Sequence, residues 1–249
     1  MKKSSIFVSL ILLLVLSFVF TPAPAQADQV IKAKRHTDAF SMMGQSQPAK
    51  DEEVTTWLVK NMMRRDEGET TTLVRYDLNK IYWIDHSKKT YSEIGLPLDM
   101  ETVLPPEAKQ MLDQIEVSSS VTDTGETKTI NNWKCKKYLV EMSVSMMGMS
   151  MPIKMDFWAS KDLGIDEDLY KKFYAETLSL NPMFQDMVEE FKKIEGYPVR
   201  TDFSMSMMGA EQKYWEEVVS VENMGAPAGT YDLPEGYKKT EFNPFEQQR

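Results

Sequence analysis

The chain has 249 residues, with 29 basic against 38 acidic side chains and a formal charge of −9. A field of that sign repels polyanions, and no basic cluster offsets it, so nucleic acid is excluded as a partner. A single cysteine, Cys135, excludes an internal disulfide, and 19 methionines are the compositional outlier that a functional reading has to absorb.

Residues 1–27 read as an export leader. Lys2 and Lys3 precede an apolar run over 6–20, and Ala25-Gln26-Ala27 supplies the small-x-small pattern that a signal peptidase accepts. The run is short for a membrane span, and the residue after the expected cut is Asp28, not the cysteine that lipid attachment requires. The expectation is a periplasmic protein, cleaved after Ala27, that is not integral to the membrane.

Beyond the leader, most segments alternate with period two, the signal of half-buried strands. Residues 30–43 are strand-like, although neither parity is wholly apolar. "EVTTWLVKNMMRR", "TTLVRYDL", "KIYWIDH" and "KTYSEI" read as four short strands, joined by "DLNK" and "DHSKK", where Asp and Asn supply local hydrogen bonds. "LPPEAKQMLDQI" predicts a helix opened by prolines. "EVSSSVTDTGETKTI" predicts a hairpin turning at 123–125. The next strand puts Tyr138, Val140, Met142, Val144 and Met146 on one face, and its return places Ile153, Met155, Phe157 and Ala159 inward.

A second helical region spans 166–195. It breaks at Asn181-Pro182 and ends at Gly196, with Met187, Phe191 and Ile194 as a narrow stripe suited to lying on a sheet. A last alternating strand aligns Val199, Thr201, Phe203, Met205 and Met207. The sum is an α+β fold: a strongly curved antiparallel sheet of about ten strands, a half-barrel, covered by helices. It occupies residues 28–240, with a disordered tail over 241–249.

The residues "WLVKNMMRRD", "KIYWIDHSKKTYSEI", "NNWKCKKYLVE", "GYPVR" and "YDLPEGYKK" resemble the outer-membrane lipoprotein carrier superfamily, the LolA-like and LppX-like half-barrels. The likeness extends to periplasmic domain-of-unknown-function families within it and covers nearly the whole mature chain. One departure is Asn132, where the pattern carries Gly; Asn tolerates a left-handed turn. The resemblance implies a half-barrel and a habit of holding acyl chains or lipoproteins, and it brings no catalytic residues.

Enzymatic signatures are missing: no G-x-S-x-G, no HExxH and no Gly-rich phosphate loop. His86 reads as an exposed turn residue, and Cys135 as a packed side chain. Catalysis and a cofactor are not expected. The leading reading is a non-enzymatic carrier for a hydrophobic ligand, lined by Tyr138, Val140, Met142, Val144, Met146, Met155, Phe157, Phe203, Met205 and Met207. Unbranched thioethers there can repack around varied chains. Two alternatives stay open. "SMMG" occurs at 41–44, 145–148 and 206–209, and such thioethers select soft ions. A copper(I) or silver(I) site would draw on Met42, Met43, Met146, Met147, Met149, Met151, Met207 and Met208, with His36. The other alternative is a sensor domain that engages a protein partner in the cell envelope.

Overall fold

The computed structural model describes residues 28–42, 45–98, 114–146, 149–180, 184, 187–207 and 210–242. The leader, residues 104–113 of the helix expected over 104–115, the Asn181-Pro182 break and residues 243–249 lie outside the described residues, while Gln114 is in a turn and Ile115 begins a strand instead of ending that helix. Fourteen strands are present among them: β1 (Asp28–Thr37), β2 (Phe40–Met42), β3 (Gln45–Gln47), β4 (Lys50–Val59), β5 (Met62–Glu67), β6 (Thr70–Arg75), β7 (Lys80–Asp85), β8 (Thr90–Gly95), β9 (Ile115–Ile130), β10 (Trp133–Met146), β11 (Met149–Ser160), β12 (Tyr197–Met207), β13 (Ala210–Met224) and β14 (Lys238–Thr240). Helices α1 (Glu167–Ser179) and α2 (Met187–Phe191) interrupt the run between β11 and β12.

Twelve strands form one sheet in the order β14-β8-β7-β6-β5-β4-β1-β13-β12-β11-β10-β9, antiparallel throughout except where β14 runs parallel beside β8. β2 and β3 form a separate small hairpin. The protein is thus mostly β.

Two expected elements differ. The segment "EVTTWLVKNMMRR" is two strands, because Lys60-Asn61 forms a two-residue turn that lets Val59 pair with Met62. The hairpin expected at 123–125 is instead an irregularity inside the single strand β9. Gly125 takes φ +73 and donates its N–H to Asp123 Oδ1, and the register with β10 shifts there. The chain reverses later, with Asn131 rather than Asn132 at positive φ, 52°.

Both helices lie on one face of the sheet. Helix α1 is capped by Asp166, whose carboxylate accepts the Leu169 N–H, and it buries Phe173 against Leu58, Met63, Val74, Ile81 and Ile94 of strands β4 to β8. Leu180 and Phe242 join that cluster. Helix α2 and the turn after it bury Met187, Phe191 and Ile194, as the stripe predicts, against β10 and β11. The chain leaves that turn at Gly196, where φ is +86 and a Cβ would stand 2.4 Å from the Ser160 carbonyl oxygen. Gly196→Ala should therefore cost about 1–3 kcal/mol, seen as a lower urea midpoint at unchanged slope.

The opposite face of β6 to β8 is covered by the C-terminal segment, where Tyr231, Leu233 and Tyr237 pack on Leu73, Tyr82 and Ile84. His86 belongs to this seam and is not an exposed turn residue. Its Nε2 lies 2.8 Å from Thr71 Oγ1 and its Nδ1 2.9 Å from the Tyr237 hydroxyl. Thr71 in turn donates to Asp66 at 2.5 Å. Arg64 and Arg75 add hydrogen bonds to the carbonyls of Thr230 and Tyr231. Cys135 is buried, and burial raises its thiol pKa, which suits a packed side chain.

Candidate functional site

Between the two helix-packed regions the sheet face is not filled. A cavity of about 310 Å³ lies there, walled by Leu58, Met63, Met155, Phe157 and Val199 from the sheet and by Tyr170, Tyr174, Thr177 and Leu180 from the α1 side. Spacing along α1 explains its roof: Tyr170, Phe173, Tyr174 and Thr177 follow a three–four rhythm and share one side of the helix. Tyr170 packs at a tilt against Tyr197 with ring centroids 4.5 Å apart, and Tyr174 reaches Phe191 at 5.0 Å, tying α1 to both the sheet and α2. A smaller cavity of about 150 Å³ lies between α1 and α2 and shares Tyr170 and Tyr174 as walls.

The wall of the larger cavity also carries charge. Arg35 on β1, Arg65 and Glu67 on β5, and Glu216 on β13 form a four-membered ring. Strand parity puts them there: Arg35 follows Ile31 and Ala33, Arg65 follows Met63, and Glu216 lies between Tyr214 and Val218. Arg35 Nη2 donates to Glu67 Oε1 at 3.0 Å and to Glu216 Oε2 at 2.7 Å. Arg65 Nη2 donates to both Glu216 oxygens at 2.9 and 2.7 Å, and its Nε donates to Glu67 Oε1. The four side chains keep 18–25% of their surface accessible while sitting deep in the fold, and all four border the cavity.

Electrostatics decide the charge states in this ring. Burial pushes the Glu67 carboxyl up, but Arg65 and Arg35 together outweigh it and hold its pKa at about 2. Glu216 is likewise pushed up by burial and brought below its ordinary value by the same two guanidiniums. Burial raises the Tyr170, Tyr174 and Tyr214 phenols, and that of Tyr197 to about 12, so all four stay protonated donors. The site is therefore an apolar chamber with one polar wall of balanced charge.

A family model described as Domain of unknown function (DUF4412) matches residues 35–237. The chain belongs to the DUF4412 family. Comparison with curated proteins gives no match. In this DUF4412 chain the matched span runs from the first ring residue, Arg35, to the Tyr237 that meets His86, so it contains the whole ring and every residue of the cavity wall but Ile31.

The side chains expected to line a ligand site divide. Met155 and Phe157 border the larger cavity. Tyr138, Val140, Met142 and Val144 do not; they are buried under α2 with Met187, Phe191 and Ile194, and Phe203 and Met205 pack partly buried against the same cluster. Alternation identifies a buried face but not what fills it, and here α2 does. The side chains of Met146 and Met207 lie outside the described residues.

The three SMMG copies fall between β2 and β3, β10 and β11, and β12 and β13, with Met42 paired to Gln45, Met146 to Met149 and Met207 to Ala210. β10 and β12 end at the same end of the sheet, and Thr37, at the end of β1 just before β2, pairs with Tyr214 there. Residues Met43, Met147 and Met208, with the side chains of Met42, Met146, Met149 and Met207, lie outside the described residues. Met151, the remaining candidate, packs partly buried against the α2 core. His36 is paired through both ring nitrogens, to Asp51 at 2.7 Å and Asp38 at 3.2 Å. Among the described residues no group of three or more His, Cys, Asp or Glu side chains is placed to hold a metal ion. No described helix is long and apolar enough to cross a membrane.

Sequence reasoning missed Arg35, Arg65, Glu67, Glu216 and the α1 tyrosines. The available signal was charge at inward parity: in "MMRRDE" and "YWEEVV" one of two adjacent like charges must share the face of its apolar neighbours.

Proposed function

We propose that this protein is a non-enzymatic periplasmic carrier that holds a hydrophobic chain against the helix-covered face of a curved half-barrel, in the manner of LolA-like proteins. The observation that carries the reading is the unfilled, largely apolar cavity between α1 and the sheet. Curvature is supported by its walls. Trp83 on β7 and Met155 on β11 both border this one cavity, yet in a flat sheet seven strand spacings would hold them about 34 Å apart. Export is supported by the leader pattern at 1–27, and the carrier role by the sequence resemblance described above. A cavity of about 310 Å³ is the liquid volume of roughly ten waters at ~30 Å³ each, which suits one chain of about a dozen non-hydrogen atoms better than a whole diacyl lipid.

Native mass spectrometry of the mature protein, purified gently from the cell envelope, tests this. The expected result is a heterogeneous lipid-sized mass increment that organic extraction removes. A bare chain mass, together with failure to take up an added single-chain amphiphile, would end the carrier reading.

A further inference from the structure

The polar wall of the cavity has more hydrogen-bond donors than its own acceptors consume. In the ring, Glu216 Oε2 receives bonds from both guanidiniums and Oε1 one from Arg65, while Glu67 Oε1 receives one from each. Arg35 spends Nε and Nη2 on these carboxylates, and among the described residues its Nη1 makes no hydrogen bond. Arg65 Nη1 has a single long contact, 3.3 Å to Thr56 Oγ1.

Tyr170, Tyr174 and Tyr214 border the same space, and their hydroxyls make no hydrogen bond among the described residues. They are not sealed in either: the buried hydroxyls without a partner are those of Tyr138 and Tyr231. On the acceptor side the ring leaves one oxygen, Glu67 Oε2. A guanidinium taken out of bulk water needs acceptors for its remaining N–H groups, and a planar carboxylate matches its fork better than any neutral group.

We infer that the cavity selects a single-chain carboxylate, an alkanoate whose head meets Arg35 Nη1 and the tyrosine hydroxyls while its chain lies along Leu58, Met63 and Phe157. The inference rests on the carrier reading and adds the head group to it. Because the ring is itself neutral, the incoming anion does not meet a net negative wall. The phenols, held protonated by burial, donate to it throughout the neutral range.

The test is calorimetric titration of the delipidated mature protein at neutral pH with decanoate, decanol and decyltrimethylammonium, which share a chain and differ in the head. Decanoate should bind about 10–100-fold tighter than decanol, the usual margin of a charge-assisted hydrogen bond. Arg35→Lys keeps the charge and its pairing with the two glutamates but removes the fork. It should reduce that preference to within about threefold. Equal binding of decanoate and decanol, or an undiminished preference in Arg35→Lys, would overturn the inference and leave the carrier reading intact. Tighter binding of the ammonium would overturn it in favour of Glu67 as the reader. Binding of none of the three would defeat the carrier reading itself.

Discussion

Replacing Arg65 by Met should destabilise the protein by about 3 kcal/mol at neutral pH, because it leaves Glu67 and Glu216 to share the single guanidinium of Arg35 in a site largely removed from water. Urea unfolding followed by circular dichroism measures this directly, and a loss below about 1 kcal/mol would mean that the ring is effectively solvated. Adding Glu216→Gln to Arg65→Met should recover part of the loss, since the cost lies in the uncompensated carboxylate rather than in missing attraction. The same variant has a pH signature. The Glu67 carboxyl is depressed from 4.5 to about 2 in the folded protein, so its contribution, about 3 kcal/mol, is complete above pH 4.5 and is lost as the pH falls from there toward about 2. Arg65 is the larger of the two pulls that depress it. Without Arg65 the folded-state pKa rises toward the unfolded value, so the contribution shrinks and the acid-unfolding midpoint moves to higher pH.

Phe173→Ala should cost about 3–5 kcal/mol. Phe173 is fully buried and is the side chain through which α1 docks on strands β4 to β8, among Leu58, Met63, Val74, Ile81 and Ile94, with the Tyr76 ring 5.1 Å away. Neighbouring backbone is too committed to sheet pairing to close the void, which places the expected loss in the cavity-forming range. Hydrogen exchange resolves the consequence locally: amides of α1 should lose protection ahead of those in β10 to β12, whose cover is α2. Uniform loss across both regions would show instead that the two helix-packed clusters unfold as one unit. Because α1 also carries Tyr170 and Tyr174, the substitution loosens the roof of the cavity and should weaken chain uptake along with stability.

How much of this was legible in the chain follows from the range of each interaction. Period-two alternation over 133–160 and 197–207 is a local property of an extended backbone, and it correctly marked the inward faces of β10 to β12. The apolar stripe of α2 and the glycine after it are local as well, and both are present. Turn chemistry was partly legible: Asp85 accepts from Ser87 and Lys88 in "DHSKK", whereas the Lys60-Asn61 turn has no glycine to announce it. The irregularity at Gly125 carries the residues of a turn but is held in the ladder by the partner strand.

By itself the sequence determined a largely antiparallel β protein of acidic charge, the parity of several of its strands and the place between β11 and β12 where helices leave the sheet, because these depend on neighbours a few residues apart. Only the tertiary structure decided what covers each buried face. Helix α2 fills the methionine-rich face expected to hold a ligand, while α1 leaves a cavity beside residues that the sequence scatters between 35 and 216. Charges of opposite sign on β1, β5 and β13 become a ring only when nonlocal pairing brings β1 between β4 and β13, with β5 one strand further on. No pattern within one strand encodes that adjacency, and the function proposed for this protein depends on it.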